Sequence, residues 1–211
     1  MSWFLSRNSY NTGMIVVDVE TTGVDPNKHS LVSIGAVDFY HPTNQFYAEC
    51  RAWEGAHVAE EALAVNGYTR EQVVDPKKKS EKEIVIEFLQ WAMQCPERTI
   101  AGQIPSFDEG FLRAAAARSG VNWPLARRTI DMHTVCYFHA LRRGIKPPTL
   151  NGHSALNSDT IAEYCGVPAE VKPHVAINGA RIEAEMFARF FYDEPLLDEW
   201  KKYPVPWVKK N

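Results

Sequence analysis

The run Met14-Ile15-Val16-Val17-Asp18-Val19 limits the fold more than any other stretch. Every residue but Asp18 is apolar, with no alternation of polar positions, so it suits a central strand covered on both faces. After the turn-rich segment Gly23 to Ser30 comes a second run, Leu31 to Tyr40. A turn at His41-Pro42-Thr43-Asn44 then leads into a third strand, Gln45 to Cys50. Two hairpin-type connections in succession predict three antiparallel strands.

The pattern then changes to helix and strand in alternation. A short helix is expected over Ala59 to Asn66, ended by Gly67, and a longer one over Ser80 to Gln94, with Ile84, Phe88 and Ala92 on one face. Arg98 to Ala101 reads as a strand, Ser106 to Arg118 as a helix, Thr129 to Ile130 as a strand end, and Met132 to Leu141 as a helix. Asn151 to Asn157 reads as a polar loop. Ser158 is placed to cap a helix to Cys165, and Asn178 to cap a final helix to about Tyr192. A meander followed by alternation predicts an α/β fold: a mixed five-stranded sheet, antiparallel over its first three strands and then parallel, with helices on both faces. Its expected span is residues 1–192, with 193–211 as a tail packed on the domain or on a partner subunit.

Composition narrows the function. A 45% hydrophobic content excludes intrinsic disorder, and a formal charge of −3 argues against a wide basic surface gripping phosphates, though not against a small nucleic-acid site. Cys50, Cys95, Cys136 and Cys165 are scattered without a Cys-x-x-Cys pair, which predicts free buried thiols in a reducing compartment. No apolar stretch approaches the roughly 18 to 20 residues of a membrane span, and Met1 to Asn8 lacks a signal peptide's order. A cytoplasmic protein with no membrane partner is expected.

The chemistry begins at Asp18-Val19-Glu20-Thr21-Thr22-Gly23. Side chains alternate along a strand, so Asp18 and Glu20 project on one side, about 6.5 to 7 Å apart along the backbone. Two carboxylates so placed repel each other unless a cation lies between them, and oxygen-rich acidic sites favour Mg²⁺ or Mn²⁺. Alone, the pair also fits a solvated strand end. Further on, in Ser106-Phe107-Asp108-Glu109-Gly110, Asp108 falls in the first turn of a helix above Leu112 and Ala115. Its charge there needs a partner, for which the helix dipole is one candidate and a metal another.

In this order the two segments resemble the first two motifs of the DEDDh family of 3′–5′ exonucleases, the DnaQ-like and RNase T-like enzymes of the ribonuclease H-like superfamily. The third motif, His-x-Ala-x-x-Asp-Ala, is similar to His174-Val175-Ala176-Ile177-Asn178-Gly179-Ala180. The similarity runs from about Met14 to Tyr192. It implies an exonuclease that hydrolyses phosphodiester bonds at the 3′ end of single-stranded DNA or RNA, releasing nucleoside monophosphates, with two Mg²⁺ or Mn²⁺ ions per site. Asp18 would bridge both metals, Glu20 would bind one, Asp108 would support the other directly or through water, and His174 would be the general base.

The departure is Gly179, which stands where the family's pattern has the fourth acid and has no side chain to ligate anything. Weak or absent hydrolysis with retained metal-assisted binding is the expected consequence. A non-catalytic nucleic-acid-binding or assembly subunit that kept the fold is the alternative; Gly179 favours it, while Asp18, Glu20, Asp108 and His174 oppose it. The resemblance also implies substrate contacts at Thr21, Thr22, Val65 and Asn66, with Phe107 offering a stacking face. Arg127, Arg128, Arg142, Arg143 and Lys146 would line a strand path or be solvated surface. Several relatives of this kind are dimers, so a homodimer is a further expectation.

Overall fold

Strand β1 (Ile15–Thr21) lies inside the sheet with a neighbour on each side, as its apolar run predicts. In the computed structural model, which describes residues 13–209, β1 pairs antiparallel with β2 (Leu31–Asp38), and β2 with β3 (Gln45–Arg51). The segment Met1 to Asn8, read above for a signal peptide, lies outside the described residues. After α1 (Glu60–Asn66) and the short α2 (Arg70–Val73), β4 (Lys79–Ser80) adds a two-residue edge parallel to β3. α3 (Glu81–Ala92) leads to β5 (Ile100–Gly102), parallel to β1, and α4 (Pro105–Arg118) leads to β6 (Thr129–Asp131), parallel to β5. The strand order is β4-β3-β2-β1-β5-β6. These are the five expected strands plus β4, whose two residues are too few to show a period.

α5 (Met132–Arg142), the hairpin β7 (Thr149–Leu150) and β8 (His153–Ser154), α6 (Ser158–Cys165) and α7 (Ala176–Tyr192) complete the described elements. Part of the expected Asn151 to Asn157 loop is thus β8. Two helix starts also shift. Asn157, not Ser158, caps α6, in a capping box with Thr160 that satisfies donors on both residues. α7 begins at Ala176 behind Val175, which makes no side-chain cap, so Asn178 lies inside the first turn. Packing against β2, described below, holds that turn in place of a cap.

The parity of β1 assigns its two faces. Ile15, Val17 and Val19 pack with Ile84 and Phe88 of α3 and Phe111 and Leu112 of α4. Met14 and Val16 pack on the opposite side with Met132, Ile161, Ala180, Ala184 and Phe187 from α5, α6 and α7. Each large side chain so buried contributes about 1.5–3 kcal/mol. Asp18 and Glu20 continue the Val16 stripe and therefore stand on the α7 side at the end of β1. All four cysteines are buried and unpaired.

Beyond α7 the chain returns onto that helix around a fully buried ion pair. Arg189 Nε donates to Glu185 Oε1 over 2.7 Å, and the remaining guanidinium N–H groups meet the carbonyls of Cys165, Trp200 and Tyr203 at 2.9 to 3.2 Å. Glu185 Oε2 accepts the N–H groups of Leu196 and Leu197. Among the described residues, no helix is long and apolar enough to cross a membrane.

Candidate active site

The short β5 shapes the site. It pairs with β1 only at Ile15 and Val16, so the β1 backbone beyond that point has no strand neighbour on this side. The N–H of Val19, midway between the two β1 acids, donates instead to Asp108 Oδ1 over 3.0 Å. Asp108 reaches it from the first turn of α4, whose inward face carries Phe111, Leu112 and Ala115. The sheet thus carries Asp18 and Glu20 on the α7 side, and α4 delivers Asp108 to the same strand end from the other layer.

Two glycines admit α7 on the opposite side. Gly35 pairs with Asp18 across β1 and β2, and a Cβ on it would overlap the backbone of Ala176 and Ile177. Its absence lets the first turn of α7 lie directly on the sheet. A Cβ built on Gly179 would overlap Oδ2 of Asp18, so that carboxylate fills the place where a side chain at 179 would begin. One turn further along α7 comes Glu183, 7% exposed, whose Oε2 accepts the Gln103 N–H at 3.1 Å.

The electrostatics are those of acids without cations. Burial first, then the charge of Glu183, then those of Asp108, Glu20 and Glu170, push the Asp18 carboxyl well above the ordinary range. Burial, with Glu170 and Asp108 behind it, pushes Glu20 up to about 8. Burial pushes Asp108 up to about 7 against the opposing pull of the Val19 N–H. Glu20 is 8% exposed and has no hydrogen bond or ion pair among the described residues. These donors are all hard oxygens, a set suited to Mg²⁺ or Mn²⁺ and ill suited to thiophilic metals. Among the described residues, no three acid, histidine or cysteine side chains are already drawn onto one metal position.

His174 enters from the loop before α7. Its backbone N–H donates to the Val65 carbonyl at 3.1 Å, which ties this loop to α1. Its Nδ1 lies 3.7 Å from Glu170 Oε2, while Glu170 Oε1 accepts the Val175 N–H at 3.0 Å. Glu170 therefore holds both the loop and the ring. A cavity of about 90 Å³ is lined by Asp18, Glu170, His174, Gly179 and Glu183, with no lysine or arginine in its wall.

The other expected substrate residues divide. Thr21 donates to the Gly23 carbonyl at 2.7 Å. Thr22 is fully buried, donating to the His57 carbonyl and accepting from the Ser30 N–H, so its hydroxyl serves the fold. Asn66 is likewise buried: its amide donates to the Thr21 carbonyl at 3.0 Å and accepts from Tyr68, clamping α1 to the end of β1. Val65 is exposed beside it. Phe107 packs on Phe111 with ring centroids 4.9 Å apart and is half-buried. Arg127, Arg128, Arg142, Arg143 and Lys146 are all exposed, with Arg143 over the Trp207 ring. Sequence reasoning passed over Glu183 and Glu170. The first was visible as an acid within the inward face of α7, and the second as an acid four residues before His174.

Solved exonuclease structures share the fold of this chain. Escherichia coli Exonuclease I in complex with a dT13 oligonucleotide superposes with a TM-score of 0.68 at 14% identity, covering 85% of this chain and 41% of that one. Its zinc-ion-bound form with single-stranded DNA gives 0.65 at 15%, covering 85% and 41%. Residues 13–190 match the 3'-5' exoribonuclease Rv2179c-like domain, and the chain belongs to that family. Ribonuclease T of Haemophilus influenzae is 26% identical over 122 residues, 51% of this chain and 52% of that protein. The PolC-type DNA polymerase III of Thermotoga maritima is 28% identical over 185 residues, 83% of this chain and 12% of that protein. The chain thus spans about half the length of the ribonuclease it matches, and a much smaller share of the polymerase.

Proposed function

We propose that this chain is a metal-dependent 3′–5′ exonuclease of single-stranded nucleic acid, with Asp18, Glu20 and Asp108 as metal ligands and His174 as general base. The carrying observation is the convergence of these acids on the free end of β1, with the buried Glu20 lacking any hydrogen-bonding or cationic partner. Family membership and the oligonucleotide-bound structural neighbours support the reading. Bound by these carboxylates, two Mg²⁺ or Mn²⁺ ions would supply Lewis-acid polarisation of the phosphodiester and activation of water.

The chain's own groups do the rest. Burial holds protons on Glu20 and Asp108 near neutral pH, and cation binding releases them, so affinity rises with pH. Glu170 turns Nδ1 of His174 toward itself, leaving Nε2 to take the proton of the attacking water. Water adds to phosphorus, the bond to the 3′ oxygen of the preceding nucleotide breaks, that oxygen takes a proton, and a nucleoside 5′-monophosphate departs. Gly179 stands at the fourth ligand position and slows this step without abolishing substrate binding.

A second reading, a binding or assembly subunit that no longer cleaves, rests on Gly179 alone. Degradation of a 5′-labelled single strand with Mn²⁺ separates the two, because only the first predicts shortening from the 3′ end. Sedimentation tests the expected homodimer: a single 23.9 kDa species would exclude it.

A further inference from the structure

The acid roles so far leave Glu183 unused, although the residue is buried. The neighbouring inward positions of α7 are Ala176, Ala180, Ala184 and Phe187, so an apolar residue would be the ordinary choice at 183. Burying a charge without a partner is strongly unfavourable, and no lysine or arginine lines the cavity that Glu183 shares with Asp18 and Gly179. Oε2 accepts the Gln103 N–H, but Oε1 has no hydrogen bond among the described residues.

Helix geometry aims this carboxylate. Residue 183 is four positions beyond 179 on the same face, and helical side chains lean toward the N-terminus, so Glu183 lies over the turn that carries Gly179 and meets Asp18. Its extra methylene relative to aspartate covers part of the distance lost by starting one turn lower. Two other unassigned acids line the cavity: Asp159 is exposed in the first turn of α6, and Glu170 is committed elsewhere, with one oxygen accepting the Val175 N–H and the other facing His174.

We infer that Glu183 supplies the carboxylate that the family's pattern places at residue 179, making Asp18, Glu20, Asp108 and Glu183 a four-acid site for divalent cations. This rests on the reading of the site as metal-binding. It makes the loss at 179 a displacement of the fourth ligand by one helical turn. Metal is then retained, while Asp18, which fills the start of the vacated space, and Glu183 hold it in an altered arrangement that slows hydrolysis.

Mn²⁺ binding to the full chain without nucleic acid, followed by calorimetry and by the electron paramagnetic resonance of free Mn²⁺, tests the inference. Glu183→Gln keeps the acceptor for Gln103 and is expected to weaken Mn²⁺ binding by at least about tenfold, with a metal-free melting temperature no lower than the parent's. Adding Gly179→Asp to that variant is expected to restore most of the affinity. Glu61→Gln, at an exposed acid of α1 outside the cavity, should stay within about threefold of the parent, the scatter of context effects around a group that is not a ligand. If Glu183→Gln fails to fold, Glu183→Met, of similar volume, provides the same comparison. Parent-like Mn²⁺ affinity in the folded variant overturns the inference alone, and so does a lowered metal-free melting temperature with unchanged affinity. A parent chain that binds no Mn²⁺ overturns the metal-site reading as well.

Discussion

The backbone N–H of Val19 and Oδ1 of Asp108 are joined over 3.0 Å, so one oxygen of a candidate metal ligand is also a structural acceptor for the strand carrying the other two. The two roles separate by substitution. Asp108→Asn keeps the acceptor and removes the charge, so the fold should hold while nuclease activity is lost. Asp108→Ala leaves the Val19 N–H buried and unpaired, at a cost of about 1–3 kcal/mol. Urea denaturation beside an activity assay distinguishes them; equal stability of both variants would show that the bond contributes nothing.

The raised carboxyls give a pH dependence of known sign. Glu20 and Asp108 ionise near 8 and 7 in the folded chain, above the ordinary carboxylate range of the unfolded chain, so the folded state binds more protons between those limits. Their contribution to stability is therefore fully present below about pH 4 and is lost as pH rises through about 7 to 8. Thermal melts of the metal-free chain should show the site's contribution falling over this window, and Glu20→Gln should flatten the fall. Saturating Mn²⁺ should reverse it, since the metal binds the ionised acids. An identical pH profile in Glu20→Gln would contradict the assignment.

The Glu185–Arg189 pair is fully buried and holds the segment after α7 through carbonyls and N–H groups on both partners. Removing one partner leaves the other charged and unpaired. Arg189→Ala should destabilise the chain by about 3–5 kcal/mol, while a double replacement by apolar residues of similar volume should recover much of the loss. Chemical denaturation of the single and double variants measures both; a single variant within about 1 kcal/mol of the parent would show the pair to be dispensable.

Much of the site was legible because its determinants are local. The parity of a strand put Asp18 and Glu20 on one side, and the first turn of a helix placed Asp108, both without knowledge of tertiary contacts. The antiparallel start and parallel continuation of the sheet followed from the change of period after Cys50. What sequence could not give was long-range occupancy. Thr22 and Asn66 read as substrate contacts, yet their polar groups meet Ser30, His57 and Thr21, partners that only the fold assembles. The start of α7 was misplaced for a similar reason: the close approach to Gly35, and not a side-chain cap, holds its first turn. Glu183 was passed over because an acid among alanines and aromatics stands out only once the inward face of the helix is known.

The most direct test follows the length of a 5′-labelled single-stranded RNA or DNA with Mn²⁺ for the parent chain, Gly179→Asp and Asp18→Asn. Stepwise shortening from the 3′ end is expected, slow with the parent, about 10- to 100-fold faster with Gly179→Asp, and absent with Asp18→Asn. No shortening by either the parent or Gly179→Asp, or undiminished shortening by Asp18→Asn, would contradict the proposed function.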